Sequence, residues 1–209
     1  HGKQHIKQAL ANSCNCYFVN LALKIGKDKL YNFSKSLGFG DSFNLYDNTF
    51  PVSAASFPTV EELKSDGQLA LLGFGQGKLT DTPVHFASVV AAISNGGYYN
   101  STTLNIKNSS SNQVISSKTC AVLRNYMKNV VENGTGFNAQ YKSQTAGKTA
   151  TAQSGIYVDG KEQLNTWFVG FYPYDNPKYS IVVMREGGKS GAGDCCPVFR
   201  TIVEKIDNM

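Results

Sequence analysis

Apolar residues recur at helical spacing along the first two thirds of the chain. In the last third they give way to runs of β-branched and aromatic residues. A short helix is expected over 5–10, with Ile6, Ala9 and Leu10 on one face, broken by Asn12-Ser13-Cys14-Asn15. A second runs from Cys16 to Ile25 with Phe18, Leu21 and Ile25 on one stripe, and Gly26 suits its end. Asp28 then reads as the cap of a third helix, with Leu30, Phe33 and Leu37 at helical spacing and Gly38 as its stop. Residues 39–66, with Pro51 and Pro58, look irregular and too long for an ordinary connection, which points to a functional loop. Thr82-Pro83 has the form of an N-cap followed by a first helical proline. That helix carries Phe86, Val89, Val90 and Ile93 and ends at Asn95-Gly96-Gly97. Residues 98–115 are polar and strand- or loop-like. Ser117 is expected to cap a helix that reaches Asn133 and stops at Gly134 and Gly136.

From residue 146 onward strands are expected at 146–154, 165–173 and 179–186. The short link Pro173 to Lys178 makes the last two an antiparallel hairpin. Trp167, Phe168, Val169 and Phe171 mark a central strand buried on both faces, with Lys148 on an edge strand. A glycine-rich stretch, 187–193, leads into a closing helix with Phe199, Ile202, Val203 and Ile206 on one side. Helices first, then a small antiparallel sheet, then a helix give an α+β class: an antiparallel β-sheet flanked by helices.

Composition narrows the function classes. The chain has 209 residues, with 20 Lys+Arg against 15 Asp+Glu, a net charge of +5. The basic residues are spread out, no block of five occurs, and aromatics do not interleave with them, so nucleic acid is not an expected partner. No apolar run approaches the ~20 residues of a membrane span. The five cysteines, Cys14, Cys16, Cys120, Cys195 and Cys196, are odd in number and lack the two-residue gap of a zinc ribbon. They read as packing thiols, with no metal or cofactor expected. Adjacent Cys195 and Cys196 are not expected to bond to each other.

Two short motifs carry candidate chemistry: Ser13-Cys14-Asn15 in a break between helices, and Lys148-Thr149-Ala150-Thr151-Ala152 on a strand. Alone, the first fits a helix cap and the second a solvated strand face. Together, in this order, they pair with further landmarks: Gly75-Gln76-Gly77 followed by Thr82-Pro83, Ala91 to Gly97, Trp167-Phe168-Val169-Gly170-Phe171 and Pro197-Val198-Phe199-Arg200. On these residues the chain resembles the penicillin-binding protein transpeptidase domain, most closely its monofunctional class B form, from residue 1 to about 205.

The resemblance implies an acyl-serine enzyme that attacks the D-Ala–D-Ala end of a peptidoglycan stem peptide and is acylated by β-lactam antibiotics. It implies that Ser13 relays protons and that Asn15 binds the substrate amide and the catalytic lysine. Lys148 would supply positive potential and help the relay. Thr149 and Thr151 would bind the substrate carboxylate, with the Thr151 N–H an oxyanion donor. It also implies the extracytoplasmic face of a bacterial membrane, with the anchor outside this chain.

Two departures stand out. Ala150 occupies a position where the family usually has Gly, which lets a ligand backbone pass close to the strand. No serine has a lysine three positions on; Ser34 meets Leu37 and Ser117 meets Cys120. In the family that nucleophile motif lies upstream, and only twelve residues precede Ser13 here. Residues 1–209 are therefore expected to be the C-terminal part of a single transpeptidase domain. The N-terminal half is expected to precede it or to come as a separate chain, and to cover the 179–186 strand. Two other readings use the same fold: a β-lactam sensor or non-catalytic binding module, and a serine β-lactamase needing a deacylating carboxylate such as Glu61 or Glu62.

Overall fold

The computed structural model describes residues 1–47, 49–53, 55–105 and 111–209. Three helices open the chain: α1 (Ile6–Ala11), α2 (Asn15–Ile25) and α3 (Lys27–Ser36). Gly26, at φ +83°, ends α2 and begins α3, so Asp28 lies inside the first turn of α3 and is not its cap. Of the expected apolar stripes, Ala9 and Leu37 are buried, whereas Phe33 is 46% and Ile25 38% exposed.

The 39–66 stretch contains a hairpin, β1 (Phe43–Tyr46) with β2 (Thr49–Val52), and helix α4 begins at its end (Asp66–Gly73). Neither was legible in the sequence. Glycines flank the Leu69 to Leu72 run and lower its helix propensity. Gly73 is needed because α2 passes so close that a Cβ there would meet Ala22 Cβ at 2.4 Å. Helix α5 (Pro83–Ser94) starts as expected, with the Thr82 hydroxyl accepting the His85 N–H. Within 98–115, a two-residue pairing joins β3 (Tyr98–Tyr99) to β4 (Asn112–Gln113); residues 106–110 lie outside the described residues. Helix α6 (Ser117–Asn133) is capped by Ser116, one residue before the expected Ser117.

The main sheet has the order β5 (Ala146–Val158), β6 (Lys161–Tyr172), β7 (Tyr179–Gly188), all antiparallel. Strand β6 is central, and its C-terminal half is buried from both sides. Phe168 packs with Phe199 and Val203 of α8 (Cys196–Asp207), which follows the single turn α7 (Gly191–Asp194). Phe171 faces the other way, onto Val90 of α5 and Met127 of α6. The alternation of strand side chains thus builds two cores on one strand. Cys195 and Cys196 are fully buried in the α8 core, and the Cys195 thiol donates to the Thr166 carbonyl at 3.2 Å.

His85, 4% exposed, is the main polar group inside the helical part. Its Nδ1 lies 2.6 Å from Asp81 Oδ2 and its Nε2 2.7 Å from the Leu37 carbonyl. A carboxylate and a carbonyl only accept, so this pair of contacts favours the imidazolium, whose two ring nitrogens both donate. Burial alone would push its pKa down, but the Asp81 hydrogen bond and charge, with the Leu37 carbonyl, outweigh burial and raise it. A raised native pKa stabilises the fold fully below the ordinary histidine value of about 6.5, and that contribution is lost as pH rises through the native value. His85→Gln is expected to lower the urea midpoint more at pH 6 than at pH 9. An equal loss at both pH values would show that the ring is neutral.

Candidate active site

The α1–α2 turn is a tight one. The Ser13 N–H donates to Leu10 O at 3.2 Å and the Cys14 N–H to Ala9 O at 2.9 Å, which holds Ser13 at φ +50°. A non-glycine residue in this region is strained, and such strain collects at functional sites. Cys14, 7% exposed, anchors the turn inward, while Ser13 and Asn15 on either side of it are exposed. Asn15 is the first residue of α2. With Ser13 it lines an open cavity of about 1010 Å³ that also includes Tyr17, Asn20, Lys3 and Lys24.

Across from this turn, β5 runs antiparallel to β6 with Lys148 opposite Val169 and Thr149 opposite Phe168. Lys148 Nζ donates to Ser13 Oγ at 2.9 Å and to the Thr149 carbonyl at 2.6 Å, with Thr149 Oγ1 at 3.5 Å. Two residues 135 positions apart thus share a hydrogen bond. Burial disfavours the ammonium and lowers the Lys148 pKa to about 8; the nearby Cys196 thiol opposes this weakly. An amine that titrates near neutral pH and touches a hydroxyl can pass a proton to or from it. As an ammonium it can also attract a carboxylate.

The remaining motif residues lie along the same strand. Thr149 is 7% exposed, and its Oγ1 is 2.6 Å from Thr135 Oγ1. Ala150 and Thr151 are exposed. Thr151 Oγ1 accepts from the Gly191 N–H at 3.5 Å. Gly191 lies against β5 so closely that a Cβ there would sit 2.8 Å from the Ala150 carbonyl oxygen. Asp194 shapes this approach: its Oδ2 accepts the N–H groups of Lys189 (2.6 Å) and Ser190 (2.8 Å), and its Oδ1 accepts from Arg185. The structure therefore brings Ser13, Lys148 and Thr149 together directly. Asn15 stands beside Ser13, and Thr151 stands further along β5 against the glycine-rich segment.

Two residues at this site escaped the sequence reading. Thr135 sits between Gly134 and Gly136, which read only as helix-ending glycines. Asp194 directly follows the 187–193 stretch, which read only as glycine-rich. A lone Thr between two glycines just after a helix was the available signal for the first.

A family model described as "Penicillin binding protein transpeptidase domain" matches residues 1–204. Among curated proteins, the chain is 32% identical to Stage V sporulation protein D of Bacillus subtilis over 207 residues, 90% of this chain and 31% of that protein. It is 28% identical to the peptidoglycan D,D-transpeptidase MrdA of Haemophilus influenzae, over 98% of this chain and 36% of that protein. The chain thus spans about a third of the length of these relatives. Among solved structures, the D,D-transpeptidase domain of a peptidoglycan glycosyltransferase from Eggerthella lenta superposes with a TM-score of 0.80 at 26% identity. It covers all of this chain and 55% of that one. A structure from Atopobium parvulum, called a putative peptidoglycan glycosyltransferase, shares the fold at TM-score 0.86 and 19% identity, over 98% of this chain and 51% of that one.

Proposed function

The chain belongs to the penicillin binding protein transpeptidase domain family, and from that premise we propose that it forms the Ser-x-Asn and Lys-Thr side of a D,D-transpeptidase site. The substrate is the D-Ala–D-Ala end of a peptidoglycan stem peptide, and β-lactams acylate the same site. The nucleophilic serine comes from a Ser-x-x-Lys motif outside residues 1–209. Its oxygen attacks the D-Ala–D-Ala carbonyl carbon, and the C–N bond breaks. The proton lost by the serine reaches the leaving amine through Ser13, and the acyl group passes to an amine of a second stem peptide.

Ser13 is suited to this relay because its hydroxyl already accepts from the Lys148 amine at 2.9 Å. That contact carries the proposal. Asn15 holds the substrate amide. Lys148 supplies positive potential and helps the relay, Thr149 and Thr151 bind the substrate carboxylate, and the Thr151 N–H is one oxyanion donor. Ala150 adds one methyl beside the path of the ligand. The segment with the serine also supplies the strands beside β7, and works on the extracytoplasmic side of a bacterial membrane. Among the described residues no helix is long and apolar enough to cross one.

The test is labelling with a fluorescent penicillin. Residues 1–209 alone are expected to form no covalent adduct, because residual binding groups do not replace a nucleophile. Joined to a segment that carries the Ser-x-x-Lys serine, they are expected to label on that serine. A penicilloyl group found by mass spectrometry on Ser13, or on any serine within 1–209, sinks the assignment.

A further inference from the structure

Thr135 touches both halves of the site from a third element. It lies in the Gly134-Thr135-Gly136 turn after α6. Its backbone N–H donates to the Ala11 carbonyl at 3.0 Å, at the end of α1 and two residues before Ser13. The turn fits there only because Gly134 has no side chain; a Cβ would lie 2.5 Å from the Ala11 carbonyl oxygen. On its other side, the Thr135 hydroxyl is 2.6 Å from Thr149 Oγ1. The Lys148 amine has three oxygens within reach: Ser13 Oγ, the Thr149 carbonyl and Thr149 Oγ1. The first two are fixed by the α1–α2 turn and by the strand backbone. The third depends on the Thr149 rotamer, and Thr135 is the side chain that holds it.

We propose that Thr135 is a positioning residue of this site: its backbone fixes the end of α1 that carries Ser13, and its hydroxyl holds Thr149 Oγ1 beside the Lys148 amine. The inference rests on the reading of Lys148 as the relay amine. Without the Thr135 hydroxyl, Thr149 is free to turn away, and the buried ammonium loses one of its three oxygens. A charged group that loses an acceptor is less easily held charged.

The experiment is a titration of the full chain with 13Cε-labelled lysine, followed by NMR. In the unsubstituted chain Lys148 is expected to titrate at about 8, lowered by burial. Thr135→Val, which keeps the shape and removes the hydroxyl, is expected to lower that midpoint by about 0.5–1 unit. Thr135→Ser keeps the hydroxyl and is expected to restore it. Thr149→Val breaks the same contact from the strand, so it is expected to lower the midpoint as well, and the double variant no further. Far-UV circular dichroism checks folding, and Thr135→Ala replaces Thr135→Val if the latter does not fold. A midpoint that stays or rises in the folded variant, or additive lowering in the double variant, overturns the proposal. Penicillin labelling of the chain joined to the Ser-x-x-Lys segment is scored beside it. No labelling with a lowered midpoint rejects the acyl-serine reading and leaves the placement of the amine by Thr135 standing. Labelling with an unmoved midpoint rejects the role of Thr135 alone.

Discussion

Lys148→Ala is expected to slow acylation by a fluorescent penicillin about 10²–10⁴-fold, the usual contribution of a positioned proton-transfer group. The measurement is a time course of labelling in a chain that joins residues 1–209 to the Ser-x-x-Lys serine. The size of the effect follows from the geometry. The Lys148 amine is the only charged group bonded to the Ser13 hydroxyl among the described residues. Lys148→Arg separates charge from proton transfer. Arginine keeps the positive charge but does not release a proton under these conditions. It is expected to recover penicillin affinity while the rate at saturation stays low. Because Lys148 titrates near 8, affinity for the penicillin carboxylate is expected to fall as pH rises through that value. Labelling by Lys148→Ala at the unsubstituted rate would remove Lys148 from the chemistry.

Phe168→Ala is expected to cost about 3–5 kcal/mol of folding free energy, the range for a fully buried aromatic ring cut back to a methyl. Phe168 has no exposed surface, and its ring meets that of Phe199 edge to face, with centroids 4.6 Å apart. The ring also fills the space that Gly147 leaves open. A Cβ on Gly147 would lie 2.4 Å from Phe168 Cζ. Truncation therefore opens a void under β5, one residue from Lys148, and the loss includes a cavity as well as transfer from water. Phe168→Leu refills most of that volume and is expected to recover more than half of the loss. Equilibrium urea unfolding measures both variants. A loss below about 1 kcal/mol for Phe168→Ala, far under the range for buried aromatic truncation, would show that this core collapses freely around the gap.

The local features were readable because their causes are local. Thr82-Pro83 begins α5 because a hydroxyl can accept an orphan N–H while proline needs none. Runs such as Trp167 to Tyr172 fit a strand covered on both faces because, Gly170 apart, their side chains are β-branched or aromatic. The same holds for the closing helix and for the order of the antiparallel sheet, where short links leave few choices. Other features were hidden because a partner distant in sequence decides them. Helix α4 includes Gly73 despite its low helix propensity, and the close approach of α2 leaves no room there for a side chain. The charge of His85 depends on Asp81 one turn away and on a carbonyl 48 residues earlier.

The candidate site divides in the same way. Ser13-Cys14-Asn15 and Lys148-Thr149 stood out in the sequence only together and through the family resemblance, since each alone fits a helix cap or a strand face. Their hydrogen-bond contact across 135 residues is a property of packing alone. So is the place of Thr135, an ordinary turn threonine until α1 and β5 close on it from either side. By itself the sequence determined helices α5, α6 and α8 and the three strands of the main sheet, and offered candidate side chains for the chemistry, since capping, propensity and periodicity act over a few residues. Only the tertiary structure decided which of those side chains meet and how far burial lowers the Lys148 pKa, because distance and desolvation are set by every element packed around the amine.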